Sequence, residues 1–149
     1  LTTRPRLDSV DDMTNAHFTG PLDCRQISGS VWYLLAPLSF VRESGETITA
    51  PAGFLTDFAS VPEWAWSLGF PPSGEYDAAA VIHDYLYTVH CVGPVAISKD
   101  DADEIFYEAM LALGVSRWRA YVMFKAVQWF GASAWNKNSG AGLDREVAP

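Results

Sequence analysis

The sequence predicts an α+β domain: an N-terminal β-hairpin packed on a core of three longer helices. Three features carry that expectation. Apolar residues recur at helical spacing over residues 76–89, again over 98–113, and again over 116–130. β-branched and aromatic residues instead crowd residues 31–41, ahead of a turn-forming Glu43-Ser44-Gly45-Glu46. The chain has 149 residues, 49% hydrophobic and 13% aromatic, which is enough apolar side chain for one real core and too much for general disorder. The division expected is an extended arm over residues 1–20, a single globular domain over 21–135, and a flexible tail over 136–149.

The arm is polar and broken by Pro5, Asp11-Asp12 and Gly20-Pro21. His17, its one histidine, reads as a surface residue. Residues 31–41 then pair with Thr47-Ile48-Thr49 across the turn, and Pro37 demotes part of the first strand toward an edge or bulge. A tight loop follows, Gly53-Phe54-Leu55-Thr56-Asp57-Phe58-Ala59-Ser60-Val61-Pro62, with one acid among apolar neighbours. Asp57 suits either a ligand or a cap whose carboxylate accepts backbone N–H bonds from the next turn. Pro62 opens a short helix carrying Trp64 and Trp66, which read as an amphipathic rim over a ligand pocket or lipid layer, or as plain core. Phe70-Pro71-Pro72-Ser73-Gly74 makes a rigid turn into the first long helix.

That helix keeps Ala79, Ile82, Leu86 and Val89 on one face. After Gly93-Pro94 the second helix begins at Ser98, which forms a capping box with Asp101, and it aligns Ala102, Ile105, Phe106, Ala109 and Leu113. The two stripes predict an antiparallel pair. Gly114 ends the second helix, Ser116 caps the third, and Trp118, Tyr121, Val122, Lys125, Ala126 and Trp129 trace it to Gly131 as a packing helix.

Composition excludes several classes of partner. A formal charge of −8 argues against nucleic acid, whose phosphates need clustered Lys and Arg. No such stripe is present, and attraction to strongly anionic membranes is disfavoured for the same reason. No apolar run is long enough for a transmembrane segment. Cys24 and Cys91 match no zinc framework, and their spacing leaves a disulfide and two free thiols equally open.

The chemistry concentrates on the two central helices. His83, Asp84 and Asp103 sit beside apolar stripes, although an acidic chain has open faces where carboxylates lose no hydration. Neighbours on a helix point about 100° apart. His83 and Asp84 therefore serve different partners, one a water and the other a cation, while Asp103 from the facing helix accepts the second imidazole N–H and fixes the tautomer. Such a set suits metal-assisted ester hydrolysis with no serine nucleophile.

The run Asp77-Ala78-Ala79-Ala80, then His83-Asp84, Tyr87, Ala102-Asp103 and Phe106 resembles the two-helix catalytic core of secreted and parvoviral-capsid phospholipase A2 domains. The resemblance implies His83 as general base, Asp103 as its support and Asp84 as a calcium ligand. It implies phospholipid or a similar envelope ester as substrate, with Tyr87, Trp64 and Trp66 on the substrate side. That family's Gly-rich calcium loop is missing here. Residues 69–74 are the nearest candidate, and Asp57 is expected to stand in as a side-chain ligand. The family's disulfide lattice is missing as well. Residues 53–131 also resemble an uncharacterised family of phage and prophage proteins, which implies a virion-associated or secreted setting and phage virion proteins as partners. Against the hydrolase stand a non-enzymatic structural component of a phage tail or tail tip, an adaptor or inhibitor, and a zinc-dependent cell-wall peptidase or amidase. One suitable histidine is few for zinc.

Overall fold

A computed structural model describes residues 15–57 and 74–138. The expectations for the first fourteen residues, the Trp64/Trp66 helix, the proline turn before Gly74 and the tail beyond Asn138 lie outside the described residues. The elements run β1 (His17–Phe18), β2 (Cys24–Ser28), β3 (Val31–Leu34), β4 (Leu38–Val41), β5 (Thr47–Ala50), β6 (Leu55–Thr56), α1 (Asp77–Val89), β7 (Cys91–Val92), β8 (Val95–Ala96), α2 (Lys99–Ala112), α3 (Arg117–Phe130) and α4 (Ala132–Asn138). This is a mixed α+β fold, strands first and helices after.

The strand half is richer than one hairpin. β4 and β5 do pair antiparallel, with Val41 opposite Thr47 and Leu38 opposite Ala50. β1 adds to the far side of β4, placing Phe18 beside Phe40 at 5.0 Å between ring centroids. The end of the polar arm is thus a docked strand. Residues 31–41 are not one strand but two: β3 belongs to a second sheet, ordered β2-β3-β6, and the chain changes sheet over residues 35–37. Pro37 lies in that break, since its ring nitrogen cannot donate to a ladder. β7 and β8 form a separate small hairpin between α1 and α2.

Alternation decides which strand face is buried. Phe40 on β4, and Ile48 and Ala50 on β5, are buried while Thr47 and Thr49 are exposed. The core they enter is completed by α1 (Ala79, Ile82, Leu86) and α2 (Ala102, Ile105, Phe106, Ala109), the expected stripes. His83 meets Asp103 and Phe106, whereas Tyr87, one turn later, meets Asp103. Advancing along α1 therefore does not advance along α2, which is the antiparallel pairing expected.

The ends follow local chemistry. The Ser98 hydroxyl accepts from Asp101 N–H at 3.1 Å, and the Asp101 carboxylate accepts from Ser98 N–H at 2.9 Å. Gly114, at φ +85°, takes the left-handed conformation that turns the chain out of α2. His90 adopts the same region at φ +56° to end α1, its ring stacked on Trp135 of α4 with centroids 3.6 Å apart. Ser116 stands at the N-cap of α3 but makes no side-chain cap bond there.

Truncating Phe40 should therefore open a cavity where β1, β4 and α1 meet. Phe40→Ala is expected to cost roughly 3–5 kcal/mol of unfolding free energy, read as a lower urea midpoint at unchanged slope. A midpoint equal to wild type would place Phe40 outside the cooperative core.

Candidate functional site

The apolar stripes of α1 and α2 bring two polar residues into the core. His83 is 3% exposed and Asp103 0%. Nε2–H of His83 donates to Oδ1 of Asp103 at 2.8 Å, and the Tyr87 hydroxyl donates to the same oxygen at 2.6 Å. Oδ2 accepts from Nζ of Lys99 at 2.8 Å. Lys99 lies one turn before Asp103 on α2, and its ammonium also donates to the carbonyls of Val127 (2.9 Å) and Gln128 (3.3 Å) near the end of α3. One carboxylate thus ties α1, α2 and α3 together. Gly131 completes the arrangement, because a Cβ there would stand 2.6 Å from the Tyr87 hydroxyl oxygen and 3.2 Å from Cε of Lys99.

The electrostatics follow from burial and partners. Burial by itself would raise the Asp103 pKa, but bonds from His83, Lys99 and Tyr87 outweigh it and hold the carboxyl below its ordinary 3.8. Burial lowers the His83 pKa below 6.5, and the bond to Asp103 recovers part of that shift. Tyr87 is pushed strongly upward by burial and then by the adjacent carboxylate, so it remains a neutral donor. At neutral pH the cluster is an ionised Lys99–Asp103 pair beside a neutral imidazole. With Asp103 ionised, the imidazole proton sits on Nε2, and Nδ1 is left as a buried acceptor with no hydrogen-bond partner among the described residues. The ring itself is wedged between Tyr87 and Phe106, at centroid distances of 4.1 and 4.6 Å.

Asp84 points elsewhere, as its helical offset from His83 requires. Its Oδ2 accepts the Thr56 hydroxyl at 2.6 Å and the backbone N–H of Asp57 at 3.3 Å. The structure therefore brings Asp84 and Asp57 together, through a backbone amide of Asp57. Calcium takes roughly six to eight oxygen ligands. Among the described residues no group of three or more His, Cys, Asp or Glu converges, and one Asp84 oxygen already faces two N–H or O–H donors. Asp84 and Asp57 alone supply fewer oxygens than that, so further ligands would have to come from carbonyls or water. Tyr87, expected on the substrate side, directs its hydroxyl to Asp103. Trp64 and Trp66 lie outside the described residues.

Two participants escaped the sequence reading. Lys99 was legible only as an i,i+4 partner of Asp103 on a helix, a pairing common on solvated faces. Thr56 gave no signal beyond standing beside Asp57.

A family model described as "Protein of unknown function (DUF1353)" matches residues 32–127. An uncharacterized protein, y4jT, from Sinorhizobium fredii (strain NBRC 101917 / NGR234) is 35% identical over 99 residues, which is 66% of this chain and 28% of that protein. The chain thus spans under a third of the relative's length. No solved structure gives a significant match. No helix among the described residues is long and apolar enough to cross a membrane.

Replacing Lys99 with Met would leave Asp103 without its counter-charge and the last turn of α3 without its donor. The expected loss is roughly 3–5 kcal/mol in denaturant unfolding; an unchanged midpoint would show that the pair does not stabilise the fold.

Proton linkage at His83 has a definite sign. The unfolded chain takes up this proton near the ordinary value of 6.5 and the folded chain only at lower pH. The unfolded state therefore binds more protons once pH falls below 6.5, and the stability present above that value declines through this range. Melting temperatures measured from about pH 7.5 down to about pH 5 should fall less steeply for His83→Gln than for wild type. Parallel curves would mean that His83 titrates alike in both states.

Proposed function

For a chain that belongs to the DUF1353 family of proteins of unknown function, we propose hydrolysis of a phospholipid or similar carboxylic ester by a histidine-activated water. One observation carries the reading: His83 is held by an ionised carboxylate through Nε2 while Nδ1 keeps an uncommitted lone pair. A general base needs that configuration, neutral at working pH and oriented from behind. The lowered pKa keeps His83 neutral through neutral and mildly acidic pH.

In the proposed step, Nδ1 takes a proton from water as the water oxygen bonds to the ester carbonyl carbon. Asp103 stabilises the imidazolium that forms. The tetrahedral intermediate then expels the alkoxide, which receives the proton from Nδ1, giving a carboxylic acid and an alcohol. Tyr87 and Lys99 hold Asp103 in place and touch no substrate. The substrate class and the phage setting both come from sequence resemblance alone.

A second reading has its own observation. Nδ1 is buried, and Lys99 extends the cluster to the α3 carbonyls. These are properties of a three-helix staple, which suits a non-enzymatic structural component of a phage tail or tail tip.

Fatty-acid release from mixed phospholipid micelles separates the two. Under the hydrolytic reading, wild type releases fatty acid and His83→Gln lowers the rate by about 10²-fold or more. Arms with calcium, with zinc and with a chelator report metal dependence in the same assay. A folded wild type that releases nothing in any arm would favour the structural component.

A further inference from the structure

The charge on this chain is segregated, and the segregation falls on the last two helices. Between Glu108 and Asp144 there is no acidic residue, while Arg117, Arg119, Lys125 and Lys137 all lie there, in a chain whose overall charge is −8. At about 100° per residue, Trp118, Tyr121, Lys125 and Trp129 share one face of α3, opposite Ala120, Met123 and Val127. Ala120 and Met123 are buried and Val127 packs against the core. The outer face is open: Tyr121 is 52% exposed, Trp118 63% and Trp129 72%. Lys125 lies over this aromatic surface, its ammonium 5.5 Å from the Tyr121 ring centroid and 5.6 Å from that of Phe124. Arg119 pairs with Glu75, and Lys125 carries positive charge on this face.

We propose that the outer face of α3 docks on an anionic lipid surface, with Tyr121 and Trp129 seated at the headgroup layer and Lys125 against lipid phosphates. Indole and phenol rings suit a boundary where one side is apolar and the other wet, and a short helix with aromatic residues and lysine on its open face lies in that plane rather than crossing it. This departs from the expectation drawn from composition: exposed charges more than about 8 Å away are screened at physiological salt, so the local sign of the face weighs more than the net charge of the chain. A symmetric contact with a second copy would set the same cations against each other. A nucleic-acid strand is favoured by a groove that tracks its backbone, which a single outward helix face does not offer. The proposal concerns binding, so it stands whether or not His83 hydrolyses an ester, although phospholipid would serve both.

Vesicle flotation tests it. Wild type should partition into vesicles of phosphatidylglycerol and phosphatidylcholine, and markedly less into phosphatidylcholine alone or at high salt. The Tyr121→Ser/Trp129→Ser variant should partition about tenfold more weakly, with Lys125→Glu weakened in the same direction and each variant showing a wild-type melting curve. His83→Gln should bind as wild type does, so lost ester hydrolysis with retained flotation separates this surface from the site. Equal flotation of wild type and the double variant, or no preference for phosphatidylglycerol, would overturn the proposal. A wild-type dimer in sedimentation velocity that the double variant abolishes would also overturn it, assigning the face to a second copy.

Discussion

Burying the Asp103 carboxylate is the constraint on which the helical half of the molecule depends. An ionised carboxylate out of water is costly unless its lone pairs are met and its charge opposed. Here three donors from two helices meet the oxygens, and one of them, Lys99, supplies the charge. The lysine is itself only partly buried, and its remaining N–H bonds go to carbonyls near the end of α3, where the helix dipole presents negative charge. The carboxylate's requirement thus fixes the spacing of three helices, and Gly131 follows because nothing larger fits between Tyr87 and the Lys99 stem. Apolar packing brings these helices together, but it sets their relative depth less sharply than a carboxylate with three fixed donors.

The helices were legible in the sequence because their information is local. Ala79, Ile82 and Leu86, and Ala102, Ile105 and Phe106, repeat at helical spacing, and Ser98 with Asp101 marks a start within four residues. The strands were less so. Residues 31–41 form a mostly apolar run, and apart from Pro37 nothing in it says that Leu34 and Leu38 belong to different sheets. The information lies in distant partners, Trp32 opposite Thr56 and Phe40 opposite Phe18, and two-residue strands such as β1 and β6 are too short to show a period. Pro37 did signal the break, as a demotion of the strand rather than its end.

The candidate site divides along the same line. That His83 and Asp84 serve separate partners follows from helix geometry, and the structure turns one to Asp103 and the other to Thr56. That His83 and Asp103 meet follows from two stripes facing each other. The role of Lys99 does not follow, since it requires knowing that α3 ends beside the first turn of α2. Nor does the use of Asp84 as an acceptor for the β6 strand, because Asp57 and Asp84 stand 27 positions apart with no periodic signal between them that folds one onto the other.

What the cluster can recognise is narrower than its composition suggests. Four polar side chains meet, yet Lys99, Tyr87 and the two Asp103 oxygens are satisfied by one another. Only Nδ1 of His83 has capacity left, and because Asp103 keeps the proton on Nε2, that capacity is to accept. A carbonyl or carboxylate brought to Nδ1 would face a lone pair. A water, an alcohol or an amide N–H would be bound. Nδ1 turns into a donor only if the imidazole is protonated, which burial opposes and Asp103, with its charge already opposed by Lys99, only partly restores. A partner of Nδ1 must therefore be a hydrogen-bond donor, and under the hydrolytic reading that donor is the water that gives up its proton.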